Sequence, residues 1–193
     1  GRYDAAGFAV GVVDRDAVID GAAIRAGDLI VGVASSGVHA NGFSLVRRIL
    51  DEAKPDLSAS LGGEPIWRRL LAPTKLYAPL LDAWRKAGVQ LHGCAHITGG
   101  GLYENIARIL PEGLGAEIAP RWEVPEVFSW LFSLAEVEPK ERYRVFNMGV
   151  GFVAIVPEED EEKALNAASS VKERAWTIGR IVPGSGVKIE GID

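Results

Sequence analysis

The stretch HITGGGLYEN, residues 96–105, joins an apolar run at residues 89–97 to a segment at residues 102–110 whose apolar side chains recur at helical spacing. Three consecutive glycines are unfavourable inside a helix or a strand. The stretch therefore predicts a strand-to-helix junction. It is either a loop that holds an anion or only a tight turn. An earlier stretch, SSGVHANG at residues 35–42, has the same design. It follows the buried-looking strand LIVGVA (29–34) and precedes FSLVRRIL (43–50), where Phe43, Val46, Ile49 and Leu50 share a helical face.

Working outward, the pattern continues. Residues 7–13, GFAVGVV, are apolar and β-branched and predict a strand, with residues 18–21 as a small hairpin partner. The near-continuous hydrophobicity of residues 29–34 predicts cover on both faces of its sheet. Residues 55–63 read as a loop. Residues 74–87 predict a helix with Tyr77, Leu80, Leu81 and Trp84 on one face and Gly88 as C-cap. A strand is expected at 115–119, a helix at 127–135, a long strand at 147–156 and an acidic-fronted helix at 158–171. A last major strand at 176–182 and a short edge at 187–189 complete the series. Strands alternating with helices predict one layered α/β or α+β domain, a sheet with helices packed on it.

Composition narrows the function classes. The chain has 193 residues and a net charge of −5, with acidic and basic residues mixed, so no basic stripe favours nucleic acid. No apolar run approaches the ~20 residues of a membrane helix. One cysteine excludes an intramolecular disulfide and a Cys-cluster zinc site. Three histidines without an i, i+4 pair argue against zinc, so no metal site is expected. A soluble cytoplasmic protein is the expectation. The chain opens GRYD without a methionine, which predicts a trimmed chain or one part of a longer polypeptide.

Both glycine-rich junctions could carry chemistry. Glycine admits positive φ and lets a ligand approach the main chain, and a helix N-terminus presents unpaired N–H groups with a partial positive charge. Neighbouring Ser, Thr and Asn add neutral hydrogen bonds. The bland alternative is cap and turn geometry. Neither junction is a Walker A loop or a GxGxxG fingerprint. His39 reads as a general acid/base or hydrogen-bond donor, or else as a structural cap. His96 ends a strand and reads equally as structural; His92 and Cys94 read as structural. Asn147-Met-Gly-Val-Gly places glycines at a strand entrance, where a ligand or tight sheet packing comes close.

Six segments in order, YDAAGFAVGVVDRDAVIDG, GDLIVGVASSGVHANGFSLVRRIL, LLAPTKLY, AHITGGGLYENIARILPEGLGAEI, WEVPEVFSWL and YRVFNMGVGFVAIVP, resemble the phosphoribosylformylglycinamidine cyclo-ligases of purine biosynthesis, the AIR synthetases. The resemblance is to the C-terminal half alone. It implies a mixed sheet with helices on both faces, partly ferredoxin-like, as one C-terminal domain over residues 1–193. It implies that the N-terminal half carries the dimer interface and most contacts to ATP and Mg, and that this chain by itself is inactive. It also implies a ribonucleotide substrate and a homodimeric full-length enzyme, without nucleic acid or membrane. On this resemblance Ser36, Gly37, Asn41 and Gly42 of one loop and Thr98, Gly99, Gly100 and Gly101 of the other line a cleft for substrate or phosphate. His39, then His96, are the candidates for proton handling or phosphate stabilisation, and Asn105 and Asn147 for orienting substrate. The alternatives are a related ATP-dependent enzyme, of selenophosphate synthetase or thiamine-monophosphate kinase type, or a non-catalytic binding domain.

Overall fold

A computed structural model describes residues 6–193. Residues 1–5, which include the first three residues of the first motif, lie outside the described residues. In chain order come β1 (Leu29–Ala34), α1 (Phe43–Ala53), a two-residue hairpin of β2 (Ser60–Leu61) and β3 (Glu64–Pro65), and α2 (Ile66–Leu70). Then follow α3 (Ala78–Lys86), β4 (Gly93–His96), α4 (Gly101–Ala107), β5 (Leu114–Ile118), α5 (Glu126–Leu134) and α6 (Pro139–Val145). The chain finishes with β6 (Val150–Val156), α7 (Glu161–Ser170), β7 (Ala175–Pro183) and β8 (Gly186–Ile189).

Six strands form one sheet in the order β4-β6-β1-β7-β5-β8. All neighbours are antiparallel except β5 and β8, which run parallel. The sheet is thus mixed, as expected, and its largely antiparallel pairing makes the domain α+β. Every residue of β1 and β6 is buried, because both faces of the sheet centre are covered. On one face Leu29, Val31, Val33, Phe152, Ala154 and Val156 pack against α3 and α7. The small residues Ala164, Ala167 and Ala168 let α7 approach closely, and the Trp84 indole N–H donates to the Ala164 carbonyl at 2.9 Å. On the other face Ile30, Val153 and Ile155 pack under α1, α2, α4, α5 and α6, with Phe128 and Phe146 at the centre. At the far end of β1, Asp28 Oδ2 accepts from the Arg25 N–H at 2.9 Å and from His92 Nδ1 at 2.7 Å. This buried pair fastens the entrance of β1 to the entrance of β4, the structural role expected for His92.

Two expectations fail at the N-terminus. Residues 7–13 form no strand, with Phe8, Val10 and Val12 almost fully exposed. Residues 18–21 form no hairpin; the nearest element is a 3-10 turn at Arg15–Ala17. A β-branched segment becomes a strand only by pairing, and none of the six strands of the sheet pairs with this one. The predicted helix at 74–87 starts late, at Ala78, with Pro79 in its first turn and Tyr77 as N-cap. Two helices carried too little signal: α2 has five residues, and α6 (PKERYRV) buries Tyr143 alone.

The triple glycine shows which of its members the fold requires. Gly100 and Gly101 have φ of 95° and 56°. A Cβ on Gly101 would lie 1.9 Å from the Tyr143 carbonyl oxygen, whereas one on Gly99 meets nothing within 4 Å. Gly101→Ala is expected to cost about 2–4 kcal/mol, combining left-handed strain with overpacking against α6. Gly99→Ala is expected to be near neutral. Urea unfolding of both variants checks this, and equal stabilities would refute it.

Candidate functional site

Both β1 and β4 run antiparallel to β6, which lies between them. Their C-terminal ends therefore emerge at the same end of the sheet, flanking the start of β6. The two glycine-rich junctions leave from those ends. The topology thus brings together loops that are 60 residues apart in sequence, judged from Ser36 and His96. The rings of His39 and His96 are 6.2 Å apart, and Tyr77 lies 6.4 Å from the first and 6.0 Å from the second.

A β-bulge shapes this end. Ala34 pairs with Val150 and Val33 with Phe152, so Gly151 is the extra residue on β6. Bulges of this kind re-aim side chains beside functional sites. Here the space over Gly151 is filled by the Tyr77 hydroxyl and the His39 ring. The Tyr77 hydroxyl donates to the Ala34 carbonyl at 2.9 Å, and its ring packs on Phe152 with centroids 5.2 Å apart. Lys75 reaches the same carbonyl at 3.3 Å and pairs with Glu173 at 2.5 Å.

The SSGVHANG loop is held from inside. Asn147, fully buried, donates to the carbonyls of Gly37 at 2.8 Å and Val38 at 3.2 Å, and accepts from the Gly149 N–H at 2.8 Å. Ser36 donates through its hydroxyl to the Pro73 carbonyl at 2.6 Å. His39 sits in the loop with φ of 59°, 2 % exposed, and its Nε2 accepts the Ser36 N–H at 3.1 Å. Its other ring nitrogen, Nδ1, is buried without a partner. Burial, with smaller contributions from His96 and Lys75, lowers the His39 pKa from 6.5 to about 4. Burial lowers that of His96 as well.

The second loop is closed on itself. The Asn105 amide donates to the carbonyls of Gly101 at 2.8 Å, Gly99 at 3.2 Å and Thr98 at 3.3 Å. The Asn105 Oδ1 accepts from the Thr98 hydroxyl at 3.1 Å. Asn105 and Asn147 therefore spend their side chains on the loops themselves. His96 is exposed at the end of β4, and Gly99 is exposed beside it.

In front of α1 lies a cleft of about 620 Å³, lined by residues 39–44, Arg47 and residues 70–74. Asn41 and Gly42 stand at its rim with the α1 N-terminus; Gly42 has φ of 73° and a Cβ there would strike Phe146 at 2.5 Å. A larger concavity, about 1090 Å³, lies over β5, β7 and β8 and includes none of the predicted site residues. Arg47, Lys75, Tyr77 and Gly151 were not among the expected site residues. Tyr77 read as a core position, and only its place in LLAPTKLY, beside Thr74 and Lys75, marked it out. Among the described residues no group of three or more His, Cys, Asp or Glu side chains could hold a metal ion.

A mixed, largely antiparallel sheet with helices on both faces, presenting two strand-to-helix loops at one end, defines the domain as α+β. Residues 25–192 match the family model described as AIR synthase related protein, C-terminal domain, and the chain belongs to that family. It is 48% identical over 189 residues to the phosphoribosylformylglycinamidine cyclo-ligase of Synechococcus sp. (strain CC9311), covering 96% of this chain and 55% of that protein. The chain spans about half the length of the curated relatives it matches. Among solved structures, thiamine-monophosphate kinase from Stenotrophomonas maltophilia K279a aligns with a TM-score of 0.65 at 18% identity, covering 93% of this chain and 55% of that one. E. coli HypE, a hydrogenase maturation protein, aligns at 0.61 and 19%, covering 94% and 51%. These two likenesses bear on fold alone.

The depressed pKa has a sign that can be checked. In the unfolded chain the imidazole titrates near 6.5, and in the fold near 4. Between those values the unfolded state binds more protons, so the His39 contribution is complete above pH 6.5 and is lost as pH falls to 4. The loss amounts to about 3 kcal/mol. The Cε1–H signal of His39 is expected to stay unshifted by NMR between about pH 8 and 5.5; a midpoint above 6 would overturn the neutral assignment.

Proposed function

We propose that this chain is the C-terminal domain of a phosphoribosylformylglycinamidine cyclo-ligase, the enzyme that closes the imidazole ring of formylglycinamidine ribonucleotide to give aminoimidazole ribonucleotide. The observation that carries the reading is 48% identity across nearly the whole chain to relatives of that name. The convergence of two glycine-rich loops at one sheet end, where a ribonucleotide would be held, supports it.

In this reading ATP supplies the phosphoryl group that turns the formyl amide oxygen into a leaving group, and a neighbouring amine closes the ring with release of ADP and phosphate. The part of this chain is to bind and orient. The loop at residues 36–42 offers backbone N–H groups, the His39 ring and the α1 N-terminus. The turn at residues 98–101 sets His96 and the backbone of Gly99 opposite. Asn105 and Asn147 act through the loops they fasten. Magnesium, which the family resemblance attaches to ATP, finds no cluster of three or more His, Cys, Asp or Glu side chains among the described residues. The domain works against an N-terminal half that brings most ATP contacts and the homodimer interface. The exposed Phe8, Val10 and Val12 support a partner surface, because contiguous exposed apolar groups mark interaction sites. No helix of the described residues is long and apolar enough to cross a membrane, which fits a cytoplasmic enzyme.

The reading is tested by co-expressing this chain with the N-terminal part of the Synechococcus relative that the match leaves uncovered. Aminoimidazole ribonucleotide should form with both pieces and with neither alone. His39→Ala should lower turnover roughly 10²-fold, the scale of one lost hydrogen-bond donor in a site. A co-purified pair that only phosphorylates a small substrate, without ring closure, would place the chain with the kinase-like enzymes instead.

A further inference from the structure

The segment WEVPEVFSWL, residues 122–131, is one of those that carry the resemblance, and the site described above uses none of it. Its first residue, Trp122, lies between β5 and α5 and is buried. A buried indole N–H needs an acceptor, and the informative point is which one it takes. It donates to the Met148 carbonyl at 2.9 Å, across 26 residues of chain. That carbonyl receives no backbone N–H among the described residues.

Met148 has φ of 48°, left-handed and uncommon for a residue with a side chain, and Gly149 follows at 98°. Such conformations persist where the surroundings enforce them. Here the WEVP end of the segment does so. Trp122 holds the Met148 carbonyl, and Pro125 closes on Gly149, where a Cβ would lie 2.6 Å from the proline Cδ.

The Met148 carbonyl and the Gly149 N–H are the two ends of one planar peptide unit. Trp122 grips its oxygen, and Asn147 Oδ1 accepts its N–H at 2.8 Å. The plane cannot turn at one end without turning at the other. The same Asn147 side chain donates to the Gly37 and Val38 carbonyls, and the Gly149 carbonyl accepts the Ser35 N–H at 2.9 Å. Bonds that hold the loop at residues 35–42 thus start from both neighbours of Met148.

We propose that Trp122 is a positioning residue for ring closure: through the 148–149 peptide its indole N–H sets the Asn147 amide, and thereby the backbone of the loop at residues 35–42. This rests on the cyclo-ligase reading, in which that loop orients the ribonucleotide. It adds a residue that lines neither glycine-rich loop nor the cleft in front of α1. The packing of the ring is a separate matter. Trp122 meets Tyr143 edge to face, with centroids 6.5 Å apart and planes at 82°, a contact that a ring of the same shape without the N–H keeps.

The decisive variant therefore replaces Trp122 with its benzothienyl analogue, which has sulfur in place of the indole N–H and nearly the same shape. Trp122→Phe is the encoded counterpart. Hydrogen exchange is measured on this chain, and kinetics on the co-expressed halves. In both variants the amides of Ser35 and Gly149 should exchange roughly tenfold faster, the scale of one lost hydrogen bond. KM for formylglycinamidine ribonucleotide should rise about fivefold with kcat within about twofold, the pattern of lost binding. Ile181→Val, a buried change on β7 with no bond to the turn, controls for lost stability and should leave KM unmoved. A merely structural role for Trp122 would reduce the folded fraction, which lowers apparent kcat at unchanged KM. That result, or wild-type exchange at Ser35 and Gly149 in the benzothienyl variant, overturns the proposal. Faster exchange with no ring closure by the wild-type pair would sink the cyclo-ligase reading and leave the coupling of Trp122 to the loop standing. Ring closure with unaltered exchange would do the reverse.

Discussion

A methyl group placed on Gly151 would lie 2.1 Å from the hydroxyl oxygen of Tyr77 and 2.5 Å from Cε1 of His39. The end of the sheet that carries the two glycine-rich loops is built around that missing carbon. The bulge at Gly151 interrupts the β1–β6 ladder where β1 ends, and the two aromatic rings occupy the space so freed. Tyr77 then ties the entrance of α3 to the last carbonyl of β1, and His39 is pressed over the same point from the following loop. Neither residue could reach the sheet if β6 kept a side chain here. The packing of Tyr77 on Phe152 carries the constraint into the apolar layer under α3 and α7.

The two glycine-rich junctions look alike in sequence and differ in what their polar groups do. At HITGGG the amide of Asn105 bonds three carbonyls of the loop, and Gly101 is pressed against α6. That geometry is a tight turn, with His96 exposed at the end of β4 just before it. At SSGVHANG the clamp comes from Asn147, beneath the loop, and the outer side stays open to the cleft. The difference lies in the direction from which each asparagine approaches. An Asn inside the helix of its own junction closes the loop on itself, and one from the neighbouring strand entrance holds it from behind.

The sheet strands from β1 onward and the larger helices were legible because their apolar periods are long and uninterrupted. β1 and β6 announced burial on both faces through continuous Val, Ile and Ala. Residues 7–13 show the limit of that signal: hydrophobic alternation reports willingness to pair, and pairing needs a neighbour with free backbone groups. The short α2 and the polar α6 are stabilised by what they pack on, which periodicity does not record. Glycine runs and histidines marked the two loops that the fold brings to one end of the sheet. Tyr77 and Gly151 did not stand out, since an aromatic on a helical face and a glycine in a strand each have a common packing explanation. Their meaning depends on a contact between residues 74 positions apart.

The electrostatics of this end bear on what it can do. Burial draws His39 down to about 4 and lowers His96, while burial raises Tyr77, and Cys94 on β4 to about 12. At neutral pH these four groups are all uncharged, and a residue that shuttles protons works best with its pKa near the ambient pH. Burial is the leading cause for all four, and around His39 and Tyr77 the bulge, the aromatic rings and the loop at residues 35–42 make a water-poor environment. The same environment strengthens hydrogen bonds from fixed donors, because competing water is removed. An end of a domain that suppresses titration and keeps oriented N–H groups is suited to gripping an anion and holding attached atoms still.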